Sequence, residues 1–168
     1  NQASGNPSIS ADGRYIAFES RASNLVEGDD NDICDYNTGD GTTSSCADVF
    51  LYDHETGEIT LVSRSFNGDP TNGESSLPQI TPDGRFIVFT SGASNLTETE
   101  VRCVQNNISE TCINVYVYDM ETDEISLASK PAGPEYANDG SGSATISDDG
   151  RYVAFSSVSS NLVESDTI

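Results

Sequence analysis

Residues 27–41, EGDDNDICDYNTGDG, gather the densest set of oxygen donors in the chain. Asp29, Asp30, Asp32, Asp35, Asn37 and Asp40 present carboxylate and amide oxygens within one short stretch. Such hard donors suit calcium, which takes about six to eight oxygen ligands. Within the stretch, DYNTGDG (residues 35–41) partly follows a DxDxDG calcium loop, but its glycine is displaced by one position. No glutamate stands where an EF-hand would supply its last ligand. Two readings remain: a calcium-stabilised loop, or a solvated acidic loop pinned by a cross-link.

Four cysteines form two local pairs, Cys34 with Cys46 and Cys103 with Cys112. Neither has the CxxC spacing of a zinc site, and His54 is the sole histidine, so local disulfides in an oxidising compartment are expected. Two glycosylation sequons occur, at Asn107 and at Asn95. Asn107 lies inside the second cysteine loop. Asn95 falls in a recurring Ser-Asn-Leu element, where Asn24 and Asn161 lack the hydroxyl residue, which points to a shared structural turn role.

Catalytic chemistry has little to stand on. A Ser-His-Asp system would need His54, which sits in a turn position that holds Met120 in the next repeat. There is no GxSxG elbow, and GSGSA (residues 140–144) reads as a flexible connection. Carboxylates are abundant, but nothing singles out one glycosidase-type pair. The chain is expected to have no enzymatic activity.

With 28 acidic and 7 basic residues the net charge is −21, which repels phosphate backbones and anionic lipid. No nucleic-acid partner is expected. No stretch approaches the roughly 18 apolar residues of a membrane helix, so no membrane insertion is expected either.

The elements that must position these groups recur along the chain. Residues 7–27, 78–98 and 144–164 align without gaps, and ten of the 21 columns are identical in all three. A second block, DVFLYDHETGEITLVS (residues 48–63), returns as NVYVYDMETDEISLAS (residues 114–129). The repeat lengths are 71 and 66 residues, and the five-residue difference lies in the stretches that carry the cysteines. The first repeat spans residues 1–76, with strands expected near 7–10, 14–20, 48–53 and 58–63. The second spans 77–142, with strands near 78–81, 85–91, 114–119 and 124–129. Residues 143–168 form half of a third, with strands near 144–147 and 151–157.

Between the first two strands of each repeat stands a turn: Asp12-Gly13-Arg14, Asp83-Gly84-Arg85 and Asp149-Gly150-Arg151. Aspartate bonds its own backbone there, and glycine takes a positive φ. The three arginines recur in every repeat, which favours a structural pairing with a nearby carboxylate over ligand contact. Asp53 and Asp119 are expected to cap the second turn of their repeats. In the strands, Tyr15 and Ala17 oppose Ile16 and Phe18, while Val49 and Leu51 oppose Phe50 and Tyr52. Both faces are apolar, so both must be covered. The fold class is therefore all-β, with β-propeller-type four-stranded blades: two complete units and half of a third. A plain β-sandwich would explain the strands but not the repeat.

The first strand ending in PDGR, the following IVF or IAF, and the YD..TGE turn resemble the TolB-type propeller repeat, a relative of the WD-type blade. ASNL followed by an acidic loop is similar to a secreted bacterial subgroup. The resemblance covers almost the whole chain and implies fold more than function, since TolB-type blades occur in periplasmic scaffolds, in gating domains of hydrolases and in large surface proteins.

Asn1 aligns with Asn72 and Asn138, inside a connection between repeats, and a closed propeller needs at least about four blades. The expected partners are therefore copies of this chain or further repeats of the same chain. The first expected role is an extracellular, cell-surface or periplasmic scaffold, self-assembling and calcium-stabilised. The alternatives are a module binding protein or glycan through loops 21–47 and 92–113, and a non-catalytic domain of a larger hydrolase.

Overall fold

The computed structural model describes residues 2–27, 29, 46–68, 71–105, 108–110, 112–133 and 136–164. Strands β1 (Ser4–Ile9), β2 (Tyr15–Ser20), β3 (Asp48–Asp53) and β4 (Ile59–Leu61) form one antiparallel sheet in chain order. Strands β5 (Ser75–Ile80) and β6 (Phe86–Ser91) are followed by a small hairpin, β7 (Cys103–Gln105) with β8 (Ile108–Glu110). Then β9 (Asn114–Asp119) and β10 (Glu124–Leu127) complete a second sheet, ordered β5-β6-β9-β10. Strands β11 (Ser141–Ile146) and β12 (Val153–Ser157) form a two-stranded sheet. The protein is all-β and built of propeller-type blades.

Local chemistry explains the turn between the first two strands of each unit. The Asp12 carboxylate accepts from Arg14 N at 3.0 Å and from Ser10 Oγ at 2.6 Å. The same pair of bonds recurs at Asp83 and at Asp149. Gly13, Gly84 and Gly150 follow with φ of 75°, 81° and 69°. The hydroxyl that serves aspartate also accepts from the chain returning after the turn, as Ser10 Oγ does from Tyr15 N at 3.0 Å.

Several expected boundaries need correction. The first strand of each unit begins at Ser4, Ser75 and Ser141, three residues before its expected start at 7, 78 and 144. Each contains a bulge, with register shifts between Gly5 and Ser8, Ser76 and Gln79, and Gly142 and Thr145. At the bulges Asn6, Leu77 and Ser143 take φ of 46°, 55° and 50°, which breaks the period-two alternation that marks a strand. The GSGSA stretch is accordingly largely strand β11, not a flexible connection. The fourth strands are shorter than expected, at 59–61 and 124–127. The long loop 92–113 holds the hairpin β7–β8.

The sheets stack face to face in one sense. Strand β5 lies against β1, β2 and β3, and β11 lies against β5, β6 and β9. One face of the first sheet supplies Ala17, Val49, Leu51 and Val62 to the core. The facing side of the second supplies Ile80, Ile87, Phe89, Tyr116 and Tyr118. The rings of Phe89 and Tyr116 stack with centroids 5.8 Å apart, and neither has exposed surface.

Candidate functional site

The residues that recur in every unit converge at the joints between blades. Two of the three turn arginines, Arg14 and Arg85, leave their own turns and pair with the aspartate ending the third strand. Arg14 Nη2 lies 2.8 Å from Asp53 Oδ2 and its Nη1 2.8 Å from Glu55. Arg85 repeats this with Asp119 at 2.9 Å and Glu121 at 2.6 Å. Hydrogen bonding from these arginines holds the carboxyls of Asp53 and Asp119 below the usual carboxylate range. Asp53 and Asp119 also accept from Glu55 N and Glu121 N, both at 2.9 Å, so they cap the turn as well. Arg151 pairs with Asp149 at 4.0 Å.

The same guanidinium groups lie over the next residue's ring: Arg14 on Tyr15 at 4.8 Å, Arg85 on Phe86 at 4.8 Å and Arg151 on Tyr152 at 5.3 Å. That ring lies against the turn glycine of the following unit. A Cβ placed on Gly84 would stand 2.6 Å from Tyr15 Cδ2, and one on Gly150 would meet Phe86 closer still. Glycine is required here twice over, by the positive φ and by the ring.

Backbone bonds reinforce the joint. Ser75 N donates to Ala47 O at 2.7 Å, and the equivalent Ser141 N donates to Ile113 O at 2.8 Å. Ala11 N donates to Pro82 O at 2.8 Å, and Leu77 N to Glu19 Oε2 at 2.9 Å. Arg21 pairs with Glu74. On the outer rim Arg64 crosses between blades to Asp123 at 2.7 Å and lies over the Tyr118 ring, whose hydroxyl donates to Asp123 at 2.7 Å.

Sequence reasoning missed a buried polar relay at the start of each third strand. Val49 N donates to Ser63 Oγ at 3.0 Å, and Ser63 Oγ donates to Asp48 Oδ1 at 2.7 Å. The second unit repeats it with Val115, Ser129 and Asn114, at 3.1 and 3.0 Å. Burial pushes the Asp48 carboxyl up to about 6, with the charges of Asp29 and Glu74 adding to the effect. The signal available was the paired column, aspartate in one repeat and asparagine in the other.

Of the expected calcium ligands, Asp29 is buried, with 7% of its surface exposed. Asp30, Asp32, Asp35, Asn37 and Asp40 lie outside the described residues, as do Cys34 and Asn107. Among the described residues no group of three or more His, Cys, Asp or Glu side chains is arranged to hold a metal ion. Cys103 and Cys112 form a disulfide with Cα atoms 5.7 Å apart, and Cys46 is also disulfide-bonded. Asn95 is half-buried, and its Oδ1 accepts from Asn72 N at 3.3 Å. Asn161 Oδ1 does the same for Asn138 N at 3.0 Å.

A groove of about 620 Å³ runs between residues 97–102 and residues 130, 131, 133, 136 and 137. Its walls include Glu98, Glu100, Arg102, Asn114, Lys130 and Tyr136. Arg102 is paired with Glu100 there, and Tyr136 is 47% exposed. His54 is exposed in its turn, edge-on to Tyr52.

No family model matches this sequence, and no curated protein matches it. Solved structures do resemble the fold, 31 chains in all. TolB from Acinetobacter baumannii is similar with a TM-score of 0.48 and 17% identity, over 90% of this chain and 26% of that one. The tricorn protease is similar with a TM-score of 0.48 and 14% identity, over 92% of this chain and 11% of that one. The chain thus spans 26% of the length of the first and 11% of the second.

Proposed function

We propose that this chain is a segment of a secreted, cell-surface or periplasmic protein whose propeller-type blades act as a rigid structural scaffold. The observation that carries the reading is the repeated joint. The same aromatic-on-glycine contact and the same serine-to-carbonyl bond recur at both blade boundaries, so the molecule invests its repeated residues in holding sheets together. In the sequence the segments between second and third strands, residues 21–47 and 92–113, differ in length, and Cys46, Cys103 and Cys112 within them are disulfide-bonded, as suits surface elements on a fixed frame in an oxidising compartment. The reading assigns the chain no catalytic step. Calcium in the 27–41 stretch belongs to the proposal as a stabiliser of that stretch. Melting temperature measured with and without millimolar calcium tests it, and no rise removes it.

Trapping thiols at harvest tests the scaffold reading. Cells expressing the protein are quenched in a thiol-alkylating reagent before lysis, and the intact mass is measured. No adducts are expected. Four adducts per chain would place it in a reducing compartment and overturn the assignment.

The groove between residues 97–102 and Tyr136 favours a second reading, a module that binds protein or glycan. It joins an exposed tyrosine face to carboxylate, amide and ammonium groups, a mixture suited to sugar hydroxyls. Tyr136→Ala should abolish any glycan-array signal, and an unchanged signal would move the binding elsewhere.

A further inference from the structure

The dipeptide Asn-Gly occurs twice in the sequence, at Asn67-Gly68 and at Asn72-Gly73, both in the link between β4 and β5. This dipeptide has a chemistry of its own. The main-chain nitrogen of the second residue can attack the side-chain amide carbon of the first, and glycine has no Cβ to obstruct the approach. The sequence gives the two sites equal standing. Their link joins two complete four-stranded sheets, so the surroundings of both are those of an internal joint.

The fold separates them. Asn72 is fixed at both ends of its amide: Oδ1 accepts from Ser94 N at 2.8 Å, and Nδ2 donates to Ser94 Oγ at 2.8 Å. Its main-chain N donates to Asn95 Oδ1 at 3.3 Å. Gly73 is packed against the neighbouring chain, for a Cβ placed there would stand 2.6 Å from main-chain atoms of Gly92 and Ala93. Asn67 and Gly68 instead stand in a β-turn, where Gly68 N donates to Ser65 O at 3.3 Å, just beyond the usual range of such bonds. Ser65 Oγ donates to Asn67 Oδ1 at 3.2 Å, a bond that moves with the turn. Both residues are exposed. Gly68 has a φ of 82°, and no atom of the described residues lies within 4 Å of the space beside it.

We propose that Asn67 is a site of spontaneous modification, where Gly68 N attacks Asn67 Cγ and the chain deamidates, while the fold protects Asn72. The new bond from Gly68 N to Asn67 Cγ closes a cyclic imide. The side-chain nitrogen leaves as ammonia, carrying the proton that Gly68 N gives up. Water then adds to one of the two imide carbonyls and reopens the ring. One opening leaves aspartate, and the other leaves isoaspartate, whose main chain runs through the former side chain. Nothing is oxidised or reduced, and water is the sole co-reactant. Either product adds one negative charge to a chain already at −21. Isoaspartate also adds one main-chain atom to the link at a blade joint. The inference goes beyond the scaffold reading and does not depend on it.

The test is peptide mapping by mass spectrometry after the folded chain has been held in mildly alkaline, oxygen-labelled water, with a parallel sample unfolded in urea. Digestion follows in unlabelled water, so label marks only the rings opened during the incubation. In the folded chain Asn67 should convert at least about tenfold faster than Asn72, the effect that one or two held hydrogen bonds have on a reaction barrier. In urea the two should convert at similar rates. Aspartate and isoaspartate should both appear at position 67, separated by chromatography. Equal rates at the two sites in the folded chain overturn the proposal. So does an Asn67 that stays intact in the folded chain while the unfolded chain converts it. A preference for Asn67 that persists undiminished in urea overturns the protection of Asn72 by the fold, and aspartate without isoaspartate overturns the ring route. All four leave the scaffold reading intact, since that is decided by the thiol state at harvest.

Discussion

Asp48→Asn should stabilise the protein at neutral pH and leave it unchanged in acid. The Asp48 side chain is 4% exposed, and its carboxyl is pushed up to about 6 from an ordinary 3.8. Between these two values the folded chain holds a proton that the unfolded chain has released. Stability attributable to this group therefore falls as pH rises through about 4 to 6, and is flat above. A difference of about two pH units corresponds to about 3 kcal/mol of penalty carried at pH 7. The relay itself survives the change, because Asn114 already accepts from Ser129 Oγ at 3.0 Å as Asp48 does from Ser63 Oγ. Asn114 Nδ2 also donates to Cys112 O at 3.2 Å, and the equivalent carbonyl in the first unit belongs to Cys46. Urea denaturation of wild type and variant in parallel from about pH 4 to 8, with a chelator present, is the assay. The stability gap should open from near zero to about 3 kcal/mol across that window. A constant offset at all pH values, or a variant less stable at pH 7, would refute the reasoning.

Gly84→Ala should cost more than Gly13→Ala by at least about 1 kcal/mol. Both place a methyl at positive φ, but only at Gly84 does that methyl meet the Tyr15 ring, at 2.6 Å. Urea midpoints measure the two costs, and Tyr15→Ala in the same chain should recover part of the larger one. Equal costs would mean that the ring yields freely. Reducing the Cys103–Cys112 bond should remove roughly 2–3 kcal/mol of local constraint. Hydrogen exchange should then rise in residues 101–113 while β6 and β9 stay protected. Faster exchange in β6 would show that the bridge supports the blade itself.

The blades were legible because three copies of the turn and two of the third strand agreed. Repetition allows a weak local pattern to be read against itself. Strand β3, expected at 48–53, is found at Asp48–Asp53, and β9, expected at 114–119, at Asn114–Asp119, because both alternate large apolar groups on two covered faces. The first strands were legible only in their second halves. Ahead of the bulges they read Ser-Gly-Asn, Ser-Ser-Leu and Ser-Gly-Ser, residues of low strand preference arranged around one left-handed position. The hairpin β7–β8 escaped notice since its strands are three residues each and lie in the stretch where the repeats differ in sequence and length. The seats of Tyr15 and Phe86 were out of reach for a different reason. Sequence shows that an aromatic residue and a glycine recur, but not that each aromatic residue meets the glycine of the next unit.

The stacking sense follows from the size of the side chains on the two faces of each sheet. One face is lined by small and branched groups, Ala17, Val49 and Leu51 in the first sheet and Val88, Val115 and Val117 in the second. The opposite face of the second sheet carries Ile87, Phe89, Tyr116 and Tyr118. Large groups pack into the shallow face of the preceding sheet, and two large faces could not approach as closely. Propagation is therefore polar, and the alternation within each strand encodes its direction. Ala17→Phe puts a ring into a site with no exposed surface and should cost roughly 1–3 kcal/mol or more in urea denaturation. Ala154→Phe makes the equivalent change on the exposed outer face of the hairpin, so the isolated chain should keep its melting temperature. If it destabilises the chain as much as Ala17→Phe does, the hairpin face is already filled, and the size argument fails at the place where it is most exposed.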